Sequence, residues 1–102
     1  MAGVQNLADI RKILRKNLPE LRKLYGIKTL KVFGSFLHET QGRRSDIDLL
    51  VTFEKNASVS LFQFIKIEHE LSRLLDRKVD LVEEEALKPG IGGRILKEAV
   101  PV

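Results

Sequence analysis

Three aspartates and a glycine–serine pair are the residues of this chain best suited to chemistry. Asp46 and Asp48 stand at the mouth of the apolar run IDLLVTF, Asp80 lies inside KVDLV, and Gly34-Ser35 follows IKTLKVF. Residues two apart in a strand share a face, so Asp46 and Asp48 present their carboxylates together while Ile47 turns away. Carboxylates so placed repel and raise one another's pKa unless a cation sits between them. A hard divalent ion such as Mg2+ resolves the conflict, because it prefers oxygen ligands. Asp80, on another strand, can bring a third carboxylate to the same spot. Such sites hold one or two Mg2+ ions and stabilise the attacking and leaving oxygens of an in-line displacement. Glycine directly after a strand lets the backbone turn sharply and a ligand come close. Ser35 adds a hydroxyl and an N–H where a short helix through Phe36 and Leu37 would begin, and N–H groups at a helix start suit phosphate. A phosphate cradle beside metal-binding carboxylates describes a nucleoside triphosphate site. It lacks the GxxxxGK run of a P-loop, so the architecture is a different one.

The elements that must position these residues follow from periodicity. Asn6 is a plausible N-cap for a helix in which Leu7, Ile10, Ile13 and Leu14 recur at three- and four-residue steps. Pro19 is expected to interrupt it and open a second short helix carrying Leu18, Leu21, Leu24 and Tyr25, stopped at Gly26. Residues 27–33 alternate as a strand, with Leu30 and Val32 on one face and Lys31 and Phe33 on the other. Residues 47–53 read as a second, central strand, residues 54–60 as a polar loop. The spacing of Phe64, Ile67, Leu71, Leu74 and Leu75 predicts a helix over 61–75. KVDLV (78–82) reads as a third strand, Pro89-Gly90 as a turn, and residues 94–99 as a last helix. This is an α/β (α+β) arrangement: a small mixed sheet with helices packed on it.

Size and composition set the outer bounds. The chain has 102 residues, is 43% hydrophobic and holds no cysteine. That is enough for one domain, 1–102, with a single modest core. A disulfide scaffold and a thiolate metal site are excluded, and the composition fits a reducing, cytoplasmic setting. No apolar run has transmembrane length, and the first residues lack the apolar core of a signal peptide. The net charge of +4 tolerates polyanionic partners, but only Arg11, Lys12, Arg15, Lys16, Arg22 and Lys23 resemble a basic face, and a solvated helix surface explains them. With one tyrosine and no tryptophan, direct nucleic-acid binding is disfavoured. An uncapped small sheet leaves edges through which two copies could pair.

Gly34-Ser35, the ten residues Phe36 to Ser45, and then Asp46-Ile47-Asp48 resemble the GS-x10-DxD signature of the polymerase-β-type nucleotidyltransferase superfamily. The short chain, KVDLV and the ending LKEAVPV resemble its minimal members, the MNT domain proteins, and the likeness runs along nearly the whole length. The resemblance implies a core that binds ATP with Mg2+. Carried over, Asp46 and Asp48 are catalytic metal ligands, Asp80 is the third ligand and the candidate general base, and Gly34, Ser35 and Ser45 are nucleotide-binding. It further implies an antitoxin paired with a HEPN-domain toxin, which moves AMP from ATP onto a tyrosine of that toxin. After Gly34-Ser35 the chain departs from the family's usual tyrosine-alanine-arginine-glycine: it reads Phe36-Leu37-His38-Glu39, with Gly42 and Arg43-Arg44 as compensating loop residues.

Plainer readings stand beside these. Asp46 can cap a turn, and Asp80 can pair with Lys78. His38 reads as a surface residue and His69 as structural. Glu83-Glu84-Glu85 reads as an exposed loop. The competing function is a binding module that neutralises a toxin by steric contact, its active site vestigial.

Overall fold

Asn6 caps the first helix, α1 (Leu7–Tyr25): its side chain accepts the Asp9 N–H at 2.9 Å, satisfying one of the donors a helix start leaves open. The computed structural model describes residues 4, 6–37, 46–87 and 90–102. Pro19 lies inside α1 and does not divide it. Proline removes one backbone hydrogen bond, but Ile10, Leu14, Leu18 and Leu21 fall at steps of four, four and three and are all buried. One apolar line therefore runs through the proline, and its burial holds both halves to the same core. Gly26, at φ 71°, ends the helix and donates its N–H to Arg22 O at 2.9 Å, as a left-handed C-cap does.

Strand β1 (Ile27–Phe33) pairs antiparallel with β2 (Ile47–Phe53), and β2 pairs in parallel with β3 (Val79–Glu83). A two-residue strand, β4 (Val100–Pro101), lies antiparallel against β1, so the order is β3-β2-β1-β4. Helix α2 (Leu61–Leu75) crosses between β2 and β3, opened by a reciprocal pair in which Ser60 Oγ accepts the Gln63 N–H and Gln63 Oε1 accepts the Ser60 N–H. Helix α3 (Ile91–Glu98) precedes β4. Three expectations shift: β3 runs 79–83, α3 begins at Ile91, and β4 is new.

Ile47, Leu49 and Val51 turn one face of β2 to the core shared with Ile10, Leu14, Ile67 and Leu71. Leu50 points the other way and is also buried, outside that cluster. It lies on the side where a 3-10 turn (Glu84–Ala86) reaches β2. The expected exposed loop is thus partly built in: Glu84 is half-buried and stands 3.0 Å from Lys31 Nζ. His69 is exposed on α2, where no packing role falls to it.

Both sheet edges are partly occupied, where an uncapped sheet was expected. On β3, the Val79 N–H is accepted by Ser72 Oγ at 3.0 Å and the Leu81 N–H by Glu68 Oε2 at 2.9 Å. Ser72 Oγ in turn donates to Glu68 O at 2.9 Å. On the other side β4 covers Lys31 and Val32 of β1 and carries Pro101, which has no N–H to offer. Ser72→Ala leaves the part-buried Val79 N–H without an acceptor. It is expected to destabilise the fold by about 1–3 kcal/mol, a Tm loss on the order of 4–8 °C per kcal/mol. Thermal unfolding followed by circular dichroism measures this, and an unchanged Tm would dismiss the edge-capping role.

Candidate active site on the open face of the sheet

Alternation along β2 sends Asp48 to the face opposite the helical core, and the parallel register sets it beside Asp80 of β3. On its other side Asp48 is paired with Phe33, the last residue of β1. Gly34 comes next, and its left-handed backbone (φ 81°) folds the chain back over Asp48. A Cβ added to Gly34 would lie 2.1 Å from Asp48 Oδ2 and 3.0 Å from its Cγ. Two independent constraints therefore ask for glycine here: a backbone angle that side chains disfavour, and a carboxylate packed where a methyl group would be.

Ser35 follows in a single 3-10 turn (Gly34–Phe36) closed by the Leu37 N–H to Gly34 O at 3.1 Å. The expected helix start is this one turn, and Ser35 is half-buried within it with an interaction of its own. Phe36 is buried beneath the site, and the Arg77 guanidinium lies 5.3 Å from its ring centroid. The turn that carries Ser35 is thereby anchored to the core.

Asp46 precedes β2 and keeps 43% of its side chain exposed, with Lys78 Nζ 3.7 Å from its Oδ2. Lys78 thus faces Asp46, where the simpler sequence reading had coupled it to Asp80. Asp80 is exposed. Asp48 is half-buried, and its carboxyl titrates above the ordinary aspartate value. Burial is the largest cause; the negative charges of Asp80 and then Asp46 add to it. The three aspartates singled out from sequence thus meet electrostatically at one place. Ser45, His38, Glu39, Gly42, Arg43 and Arg44 fall outside the described residues.

The donor set suits Mg2+: three carboxylates on an accessible face, with a charge conflict that a hard cation would relieve. Among the described residues no three His, Asp or Glu side chains are already close enough to hold an ion, so the carboxylates would converge on binding it. Sequence reasoning missed the Lys31–Glu84 pair. Alternation did set Lys31 on the face of Phe33, but nothing local marks Glu84 as its partner.

The geometry agrees with comparisons to known proteins. The model of the nucleotidyltransferase domain family matches residues 10–102. The protein adenylyltransferase MntA of Thermococcus cleftensis is 41% identical over 96 residues, covering 94% of this chain and 95% of that protein. A solved structure provisionally described as a minimal nucleotidyltransferase superposes with a TM-score of 0.77 at 31% identity, covering 99% of this chain and 100% of that one. A toxin–antitoxin crystal structure with AMP-PNP gives a TM-score of 0.63 at 26% identity, over 88% of this chain and 66% of that one. With its GS turn folded over the first of two register-paired strand aspartates, this chain belongs to the nucleotidyltransferase domain family.

Proposed function

We propose that this nucleotidyltransferase moves AMP from ATP to a hydroxyl of another protein, a tyrosine of a HEPN-domain toxin, and so acts as its antitoxin. The observation that carries the reading is the register pairing of Asp48 with Asp80 on the open face, with Gly34 pressed against Asp48. The 41% identical MntA is named for protein adenylyl transfer. The AMP-PNP complex is of a toxin–antitoxin pair, and the sequence signature resembles antitoxins that act on HEPN toxins.

The chain's own residues support a simple division of work. Gly34, whose lack of a side chain lets the turn pack on Asp48, and Ser35 after it would border the triphosphate. Asp46, Asp48 and Asp80 would hold Mg2+, which when bound neutralises triphosphate charge and polarises the phosphorus under attack. Asp80, exposed and beside Asp48, would accept the proton of the incoming hydroxyl. The hydroxyl oxygen forms its bond to the α-phosphorus as the bond to the β-phosphate oxygen breaks, and pyrophosphate leaves. The acceptor comes from elsewhere. The only tyrosine, Tyr25, precedes β1 at the end where Ile27 pairs with Phe53, whereas Asp48 pairs with Phe33 at the other. Six strand residues separate those ends by about 20 Å, too far for Tyr25 to be modified within its own chain.

Transfer is tested by incubating the protein with a HEPN-family toxin, Mg2+ and ATP labelled at the α-phosphate. The wild type is expected to label the toxin. Asp46→Asn, Asp48→Asn and Gly34→Ala should each reduce labelling by on the order of 10²-fold or more. Labelling that persists in both Asn variants would refute the carboxylate site. Toxin inhibition by the wild type without any label would instead establish the steric module.

The same carboxylate sets a pH dependence. With metal chelated, the folded chain holds the Asp48 proton more tightly than the unfolded chain does, since its value lies above the ordinary 3.8. Folding stability therefore falls as pH rises from that range through the raised value. Asp48→Asn removes the ionising group, so the variant is expected to melt a few degrees higher than wild type at neutral pH in EDTA. The difference should close as pH falls toward 3.8. A variant that melts lower at neutral pH would contradict the charge conflict.

A further inference from the structure

At the far end of β2 and β3 from the aspartates lies an open groove of about 830 Å³, lined by Phe53, Val59, Leu61, Phe64 and Val82. It is continuous with an apolar patch on the first turns of α2, where Leu61 is 73% exposed, Phe62 85% and Ile65 42%. Side chains of this size left in water on adjacent helical positions mark an interaction surface. The groove's charge runs against that of the chain. The protein carries a net +4, yet Glu54, Glu83 and Glu85 line the groove, with Lys55 the single cation lining it among the described residues.

We propose that this groove docks a basic amphipathic helix of the protein acceptor, a recognition site separate from the chemistry. The inference rests on the reading that the acceptor is a protein. Apolar floor and acidic rim together select apolar residues at helical spacing flanked by lysine or arginine. The alternative of strand addition is closed, because α2 side chains already hold the Val79 and Leu81 N–H groups of the adjacent edge. What remains is contact through side chains, the mode by which a helix seats in a groove. Glu83 lies three residues beyond Asp80 on β3 and Phe53 five beyond Asp48 on β2. At the strand rise those are about 10 and 17 Å, so one folded partner can fill the groove and still reach the carboxylates.

The test uses the full chain and a synthetic helical peptide of leucine and lysine at amphipathic spacing, with a leucine–glutamate peptide as control. Binding is followed by amide chemical shifts without ATP. The lysine peptide is expected to shift residues 53–64 and 81–86. Leu61→Ser with Phe62→Ser should weaken it at least about tenfold, and Glu83→Lys with Glu85→Lys should abolish the preference for lysine over glutamate. Shifts elsewhere, or insensitivity to both double variants, would overturn the site. A dimer in sedimentation that Leu61→Ser with Phe62→Ser dissolves would also overturn it, assigning the groove to self-association. In the labelling assay with the toxin, the same double variant should raise KM for the toxin while kcat and ATP binding hold. If it labels with an unchanged KM while Asp48→Asn does not label, docking fails and transfer stands. If the wild type never labels but the peptide fills the groove, transfer fails and the binding surface stands.

Discussion

Asp48 is a carboxylate on an inner strand, half-buried, flanked in register by a second carboxylate and pressed by a glycine that leaves no room for a side chain. Burial, Asp80 and Asp46 raise the free energy of its charged form. A folded chain keeps such an arrangement only where other interactions over-determine it. Here they are the two pairings of β2, which clamp the strand between β1 and β3, and the apolar residues on either side of Asp48. Ile47 and Leu49 are buried on the core face and Leu50 on the opposite one. The strand has no register in which Asp48 could escape without turning those residues outward.

The rest of the architecture follows from holding that strand still while leaving one face of its beginning open. Helices α1 and α2 supply the core on the far side, and α1 continues through Pro19 because the same buried line serves both halves. On the near side the cover is partial. The 3-10 turn after β3 reaches over Leu50, tied down by Glu84 to Lys31, and stops short of Asp80, which stays exposed. The turn after β1 is fixed from below by buried Phe36 and the Arg77 guanidinium. Asp48 and the glycine turn over it are thereby held in place on that face.

How much of this could be read in advance depended on the range of the interaction concerned. Strands β1 and β2 and helix α2 fall where alternation and 3.6-residue spacing place them, because their burial is decided by their own side chains. The site was legible for a related reason. Charged residues inside apolar strands stand out locally, and Gly34 is marked by its position at a strand end. The failures are non-local. Pro19 obeys a local rule that a shared core overrides. A two-residue strand such as β4 carries no periodic signal and exists because Lys31 and Val32 offer an edge. The pairings of Glu84 with Lys31 and of Lys78 with Asp46 depend on how separate elements meet. Phe62, by contrast, lies off the apolar face that the spacing of Phe64, Ile67 and Leu71 marks, and it stands in solvent as that spacing implies.

The placement of α2 separates two kinds of specificity. On the proposed reading the aspartates would meet phosphate only through a bound cation, and neither they nor the glycine turn would read a protein partner. Among the described residues no element covers Asp80, which stays exposed, so they offer little surface there with which to choose an acceptor. Selectivity must then come from contacts outside the reacting centre, where binding energy can position the hydroxyl. The exposed first turns of α2 and the acidic rim beside them lie on the two strands that carry Asp48 and Asp80. A partner gripped there is positioned relative to the carboxylates by the sheet itself, whose rigidity is what an open active site needs most.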